Sequence, residues 1–209
     1  MLSLLAIVIC SYLIGSIPTS IIVSKVFFGY DIRDYGSGNA GGTNAFRIMG
    51  WKAGIFVMAV DVLKGAVATY YFSQIRIGPV GVPHVYLQIL AGVAAVFGHI
   101  WTVFAGFRGG KGVGTAAGML IVLYPTAFLI CAGVFVIVLL STRYVSLSSM
   151  SAAVTLPVAL AIISAVRGQP LSRPLFVLAL LMAALIIYTH RSNIQRLLQG
   201  NENRIKKIL

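Results

Sequence analysis

Between Gly36 and Asn44 the chain runs Gly-Ser-Gly-Asn-Ala-Gly-Gly-Thr-Asn without one long apolar side chain, and Arg47 stands three positions further on. Glycine permits positive φ and close backbone approach, so such a stretch can wrap N–H groups around an anion. The hydroxyls of Ser37 and Thr43 and the carboxamides of Asn39 and Asn44 add donors, and Arg47 adds a charge-assisted one. A plain connector between helices needs no such density of polar groups. A second stretch, Gly106-Phe107-Arg108-Gly109-Gly110-Lys111-Gly112, offers a Gly-Gly-Lys turn that can hold an oxyanion through backbone N–H groups and the Lys111 charge. It is not a nucleotide-hydrolysing P-loop: Ala105 occupies the leading glycine position and Gly112 replaces the required Ser or Thr. Two histidines complete the inventory. His99 precedes the second stretch and is either a histidine hydrogen-bonded between helices or a donor or general base tuned near neutrality. His190 opens the run His190-Arg191-Ser192-Asn193.

These residues are set in an oily chain. Of 209 residues, 59% are hydrophobic and 10% charged, with mean hydropathy +0.96; a soluble domain carries about 25% charged residues. The chain therefore reads as an integral membrane protein. Its first apolar run lacks a basic leader and continues too far for a cleaved signal, so it reads as a retained helix. Sixteen Lys and Arg face four acids, a net charge of +12. In a membrane protein this points to basic loops at an anionic leaflet and to anionic substrates, not to nucleic acid. Cys10 and Cys131 lie in apolar runs without a nearby His or second Cys, so neither a disulfide nor a metal site is expected, and no cofactor.

A spanning helix takes about 20 residues. Spans are expected at 2–24, with a kink at Pro18, then at 53–73, 85–104, 147–165 and 174–190, with 25–52 as the glycine-rich loop and its flanks. Asp61 and Lys64, three apart on one helix face, either pair with each other or face a polar interior, and an ion pair that locks the helix is favoured over a catalytic role. The apolar stretch 113–141 is too long for one tidy span, and Tyr124-Pro125 interrupts it. If it turns back there, twelve basic residues, counting Lys206 and Lys207, lie on the side of the first loop and three on the other; if it crosses once, the split is eight to seven. The positive-inside rule selects two helices. The expected fold is all-α, seven transmembrane helices in one domain, 1–209, with the N-terminus outside and the C-terminus cytoplasmic.

That topology gathers Ser37, Asn39, Thr43, Asn44, Arg47, His99, Arg108, Lys111, Arg143, His190 and Asn193 on the cytoplasmic side. A cation site would want oxygen ligands; this set consists mostly of donors and suits phosphate. A transporter of anions would place its site near the midplane within an internal repeat, and no repeat is evident.

Gly36-Ser37-Gly38-Asn39 with Gly42-Thr43-Asn44, Gly98-His99 leading into Phe107-Arg108-Gly109-Gly110-Lys111-Gly112, and His190-Arg191-Ser192-Asn193-Ile194-Gln195-Arg196-Leu197 occur in an order that resembles the bacterial acyl-phosphate:glycerol-3-phosphate acyltransferase family (PlsY type). Gly15-Ser16-Ile17-Pro18 and Asp61/Lys64-Gly65 fit as well, and the resemblance covers essentially the whole chain. Arg108 stands where Lys is commoner, and Ala40-Gly41 departs slightly from the pattern. The resemblance implies a seven-helix enzyme of the bacterial cytoplasmic membrane that works without an obligate protein partner. It implies transfer of a fatty acyl group from acyl phosphate to the 1-hydroxyl of glycerol 3-phosphate, giving lysophosphatidate and phosphate. The His-x4-Asp signature of the other acyltransferase superfamily is absent, since Ile89, Phe104 and Gln195 stand five after His84, His99 and His190. Acyl phosphate has a good leaving group, so positioning and charge stabilisation should dominate; no nucleophile with a base and its orienter is apparent, which favours direct attack without an acyl-enzyme. Carried over, Ser37, Arg47, Lys111, His190 and Asn193 would hold glycerol 3-phosphate. The segment around Gly38, Asn39, Thr43, Gly109 and Gly110 would hold the acyl phosphate, and His99 would polarise or orient the hydroxyl unless substrate phosphate is itself the base. Ser37, Lys111, His99 and His190 are thus the candidate catalytic residues, with Asn44, Arg108 and Arg143 as further contacts.

Overall fold

The structure, a computed structural model, describes residues 1–205; Lys206 and Lys207, two of the expected inner charges, lie outside the described residues. The described chain is all-helical and forms two compact units that divide between Leu123 and Tyr124.

The first unit begins with α1 (Leu2–Ser16) and α2 (Thr19–Phe28). The sequence suggests a kink at Pro18, but the helix ends there. A residue before proline is driven out of the α region, and Ile17 sits at ψ 111°. The break releases carbonyls that would be costly to bury unpaired. Thr102 Oγ1 donates to Ser16 O, and Lys64 Nζ donates to Ile17 O at 3.1 Å. Residues 25–52 are likewise more ordered than a loop with flanks. A 3-10 turn (Ile32–Asp34) leads into the glycine-rich segment, and α3 (Gly42–Met49) follows. Helix α3 presents a strongly amphipathic surface, and it packs on α4 (Trp51–Tyr70) where both backbones come close. A Cβ on Gly42 would strike the Met58 side chain, and one on Gly54 would strike Phe46.

Helix α5 (His84–Ile100) packs chiefly on α1, and α6 (Val113–Leu123) on α4. Small residues make both contacts. Gly15 lies against the Ala95 backbone and Gly98 against Tyr12; Gly65 meets the Thr115 backbone and Gly118 the Val62 backbone. Lipid supplies no hydrophobic drive between helices, so close approach of backbones is what holds such pairs together.

The second unit holds α7 (Pro125–Thr142), α8 (Val145–Arg167), α9 (Arg173–Thr189) and α10 (Arg191–Leu198). The break between α6 and α7 falls at Tyr124-Pro125, where Pro125 opens the new helix. Five stretches are long and apolar enough to cross a membrane: Leu2–Phe28, Trp51–Gln74, His84–Ala105, Pro125–Thr142 and Val145–Arg167. The pair α9 and α10, bent by 59° at His190, makes a sixth if taken as one span. Helix α6 has only 11 residues, about 16 Å of rise.

Candidate active site

The cleft of the first unit follows from three local breaks. Pro18 separates α1 from α2, Trp101 ends α5, and the second glycine-rich segment then folds back over the end of α5. Gly109 N–H donates to Ile100 O at 3.1 Å and Gly110 N–H to His99 O at 3.0 Å, capping the carbonyls the helix end leaves exposed. A side chain would block this turn: a Cβ on Gly109 would collide with His99 O, and one on Gly110 with His99 Nε2. These two N–H groups are therefore committed to α5, and the glycines contribute space.

Ser16, Ile17, Pro18, Thr19, Ala40, Asp61, Lys64, His99, Thr102, Gly109 and Gly110 line the cleft, which has about 190 Å³ of empty space partly open to solvent. Three of its side chains form a charged cluster. Lys64 Nζ lies 2.8 Å from Asp61 Oδ1, and His99 Nδ1 lies 3.5 Å from the same oxygen. All three are buried, with side-chain exposures of 4%, 6% and 6% for Lys64, Asp61 and His99. The expected Asp61–Lys64 pair is present, and a histidine from another helix joins it. The buried hydroxyls of Ser16 and Thr19 line the same cleft without a hydrogen-bond partner, a burial that costs free energy unless a ligand or water completes it.

The first glycine-rich segment borders this cleft through Ala40. Its shape depends on Asn44, whose amide donates to Ile32 O at 3.2 Å and Tyr35 O at 3.0 Å while its oxygen accepts from Ser37 N–H at 3.0 Å. Gly36 sits at φ +63°, and a Cβ there would meet the Asn44 side-chain oxygen. Asn44 is thus consumed in holding the segment. Arg33 ties the two segments together: it binds Asp31 through two nitrogens and donates to Ala105 O at 2.9 Å. The Arg33 hydrogen bonds, outweighing burial, hold the Asp31 carboxyl far below the usual carboxylate range. Ser37, Asn39, Thr43 and Arg47 are half-buried, as is Lys111 shortly before α6, while Gly38 and Arg108 are exposed.

In the second unit, His190 is buried at the bend between α9 and α10. Its Nδ1 lies 2.7 Å from Ile186 O. A carbonyl only accepts, so Nδ1 carries the proton there. Asn193 Nδ2 donates to Glu202 Oε1 at 2.7 Å, Ser146 Oγ donates to the same oxygen at 2.9 Å, and Arg196 Nε donates to Oε2 at 2.8 Å. Burial pushes the Glu202 carboxyl up, but these hydrogen bonds outweigh it and hold it below its ordinary value. Arg143 is exposed, at the left-handed cap of α7, and its carbonyl accepts from Ile205 N–H at 3.0 Å.

Of the residues singled out from sequence, His99, Gly109 and Gly110 line the cleft directly. Ser37, Gly38, Asn39, Thr43, Asn44, Arg47, Arg108 and Lys111 lie on the segments around it in the same unit, and Arg143, His190 and Asn193 belong to the second unit. Sequence reading names Ser16 only within the Gly15-Ser16-Ile17-Pro18 stretch, does not single out Thr19 and Thr102, and puts a helix lock ahead of a catalytic role for Asp61. Their signal is present: two charges inside an apolar helix and a Ser-x-Pro-Thr break are expensive in a bilayer unless something uses them.

An all-helical membrane protein whose cleft gathers a buried lysine, histidine and carboxylate beside two glycine-rich segments is an integral membrane enzyme. The family model for glycerol-3-phosphate acyltransferase matches residues 5–200. The chain is 46% identical to the glycerol-3-phosphate acyltransferase of Chlorobium phaeobacteroides (strain BS1), over 99% of this chain and 98% of that one. It is also 46% identical to that of Chlorobaculum tepidum, over 98% and 97%. Its fold is similar to two crystal structures of PlsY (YgiH), an integral membrane glycerol 3-phosphate acyltransferase. The glycerol 3-phosphate form aligns with a TM-score of 0.82 at 36% identity, covering 97% of this chain and 96% of that one. The lysophosphatidic acid form aligns at 0.79 and 36%, covering 97% and 95%. The chain belongs to the glycerol-3-phosphate acyltransferase family.

Proposed function

We propose that the protein transfers a fatty acyl group from acyl phosphate to the sn-1 hydroxyl of glycerol 3-phosphate, releasing 1-acylglycerol 3-phosphate and inorganic phosphate. This is the first acylation of phospholipid synthesis. The observation that carries the reading is the cleft itself. It is walled by Gly109 and Gly110, bordered by Ala40 of the first glycine-rich segment, and lined by buried Lys64 and His99, in a chain whose family acylates glycerol 3-phosphate.

The hydroxyl oxygen attacks the acyl carbonyl carbon, the bond from that carbon to the phosphate oxygen breaks, and the hydroxyl proton leaves to His99 or to a substrate phosphate. The mixed anhydride needs little acid catalysis, so the protein's work is positioning and charge stabilisation. No acyl-enzyme is formed, and no cofactor takes part. Ser37, Arg47, Lys111, His190 and Asn193 hold glycerol 3-phosphate, with Arg108 and Arg143 adding positive potential. Gly38, Asn39, Thr43, Gly109 and Gly110 shape the place of the acyl phosphate, and Asn44 acts by fixing the first segment. Lys111→Ala and His190→Ala each abolish turnover.

The whole chain acts as one polytopic enzyme without an obligate protein partner in a bacterial cytoplasmic membrane. It crosses seven times, with the N-terminus outside, the C-terminus inside and the site at the cytoplasmic face; the acyl chain enters laterally from the bilayer. The test is to mix purified protein in lipid with glycerol 3-phosphate and either palmitoyl phosphate or palmitoyl-CoA. Lysophosphatidate from palmitoyl phosphate alone is expected. Product from palmitoyl-CoA, or a trapped covalent acyl-enzyme, overturns the donor or the direct transfer.

A further inference from the structure

Among the described residues of the first unit, Phe107 is the one non-glycine residue in the left-handed region, at φ 59°, directly after Gly106 at φ 65°. A bulky side chain at such a φ is an outlier. Glycine takes that conformation without a clash, and it stands at 106, 109, 110 and 112 around this position. The phenylalanine is not there to fill the interior. Its side chain is exposed (59%), as are those of Phe104 (60%) and Val103 in the same turn. Strained backbone persists where the surroundings over-determine it, and it clusters at ligand clamps. Here Phe107 N–H donates to Thr102 O at 2.8 Å, Arg33 holds Ala105 O at 2.9 Å, and the Gly109 and Gly110 N–H groups bond back to the end of α5. The ring is thus presented from a fixed base.

The turn follows directly on His84–Ala105, a stretch long and apolar enough to cross a membrane, so it lies at the edge of the hydrocarbon. Arg108, next in the chain, is exposed, and Gly109 and Gly110 wall the cleft. Seven residues therefore carry exposed apolar rings, then a cation, then the wall of the site. That order complements an amphiphile with an anionic head and a long apolar chain. A soluble anion has no use for the rings. A bilayer anchor has no use for the strain, since Phe104 is exposed on a 3-10 turn without it.

We propose that Phe107, with Phe104 of the same turn, is a specificity-determining residue for the acyl donor: its ring receives the chain as it leaves the bilayer, while Arg108 draws the phosphate toward Gly109 and Gly110. This rests on the acyl transfer proposed above. No bond changes at Phe107, so its effect falls on donor binding.

The test is Phe107→Gly, which keeps the backbone and relieves the strain. Its binding is compared with wild type, in nanodiscs of fixed lipid, for hexadecyl phosphate and for inorganic phosphate. Hexadecyl phosphate carries a comparable head and chain without a transferable acyl group. The variant is expected to bind it about tenfold more weakly, with inorganic phosphate changed by less than about twofold. KM for palmitoyl phosphate should rise by the same factor, and KM for glycerol 3-phosphate should hold. Unchanged affinity for hexadecyl phosphate would make Phe107 a bilayer anchor only and overturns the proposal. Equal loss for both ligands also overturns it, because the turn would then act through its shape and not through the chain. Should Phe107→Gly fail to fold, Phe104→Ala, on an exposed and unstrained position, decides by the same pair of ligands: selective weakening supports the proposal and equal affinities overturn it. Hexadecyl phosphate binding needs no turnover. Wild-type protein that binds it through Phe107 but does not use palmitoyl phosphate would sink the proposed donor and leave this site standing.

Discussion

At the scale of single residues, the first glycine-rich segment owes its form to one side chain. Asn44 is 2% exposed and satisfies Ile32 O, Tyr35 O and Ser37 N–H at once. Truncating it leaves three backbone groups to find other partners, and each buried unsatisfied group costs about 1–3 kcal/mol. Asn44→Ala is expected to destabilise the protein by about 2 kcal/mol, seen as a lower thermal midpoint in detergent. It should also raise KM for glycerol 3-phosphate at least tenfold, because Ser37 loses its anchor; an unchanged KM would show that the segment keeps its shape without the amide. In the sequence, Asn44 is indistinguishable from Asn39, since both are carboxamides in a polar run. The difference is tertiary: a 12-residue reach to Ile32 O turns one of them inward. Asp61 is legible as a charged pair because Lys64 is three residues away. Its contact with His99 is not, because a partner 38 positions distant on another helix leaves no mark in one sequence.

At the scale of elements, proline and glycine punctuation is readable where it acts locally and misleading where packing decides. Pro125 opens α7 at the Tyr124-Pro125 interruption that the sequence shows. Pro18 reads as a kink, but Lys64 and Thr102 supply the donors that let the helix end outright. Helix α3 is hidden in what looks like loop composition, because its stability comes from packing on α4. The tightest joint is α4 with α6, where Gly118 faces the Val62 carbonyl and Gly65 the Thr115 carbonyl. Gly118→Leu must push the two backbones apart, and overpacking of this kind costs about 1–3 kcal/mol. Because Gly114 at the start of α6 abuts Asp61, activity in lipid is expected to fall further than the thermal midpoint suggests. Surviving kcat with a lowered midpoint would show that α6 does not help to place the Asp61 cluster. The tail of the second unit makes a separate element-scale prediction. Glu202 has a lowered pKa, so its contribution is fully present above the ordinary glutamate value near about pH 4.3 and is lost as pH falls through the depressed native value. Exchange of the Ile205 amide, bonded to Arg143 O at 3.0 Å, reads this clasp. Its protection is expected to drop in that acid window in wild type, and to be about tenfold lower and independent of pH from about 4 to 7 in Glu202→Gln, as for loss of one charged hydrogen bond. Equal protection in the two proteins at neutral pH would mean that the carboxylate does not hold the tail.

At the scale of the whole molecule, the open question is whether α6 crosses, because that decides the sidedness of everything after it. Its 11 residues rise about 16 Å, roughly half of a 30 Å hydrocarbon core, which argues against a crossing by length alone. Its neighbours argue for one. Gly114 abuts Asp61, Thr115 meets Gly65 and Gly118 meets Val62, so α6 runs beside the C-terminal half of α4, a helix long and apolar enough to span. Ahead of α6, Gly109 and Gly110 bond through their N–H groups to the end of α5. Irregular backbone at membrane depth is tolerated where protein surrounds it. Single cysteines placed in a Cys10→Ala/Cys131→Ala background test this with a membrane-impermeant maleimide on intact cells. With seven crossings, Gly81→Cys and Gln169→Cys label from outside, whereas Lys52→Cys and Asn201→Cys label only after permeabilisation. If α6 does not cross, positions 52 and 81 behave as before, but 169 and 201 exchange places. The tail with Glu202 would then lie outside, and His190 and Asn193 would stand across the membrane from Lys111, where they could not share a substrate. Labelling of Asn201→Cys in intact cells would therefore overturn both the topology and the assignment of those residues to one glycerol 3-phosphate.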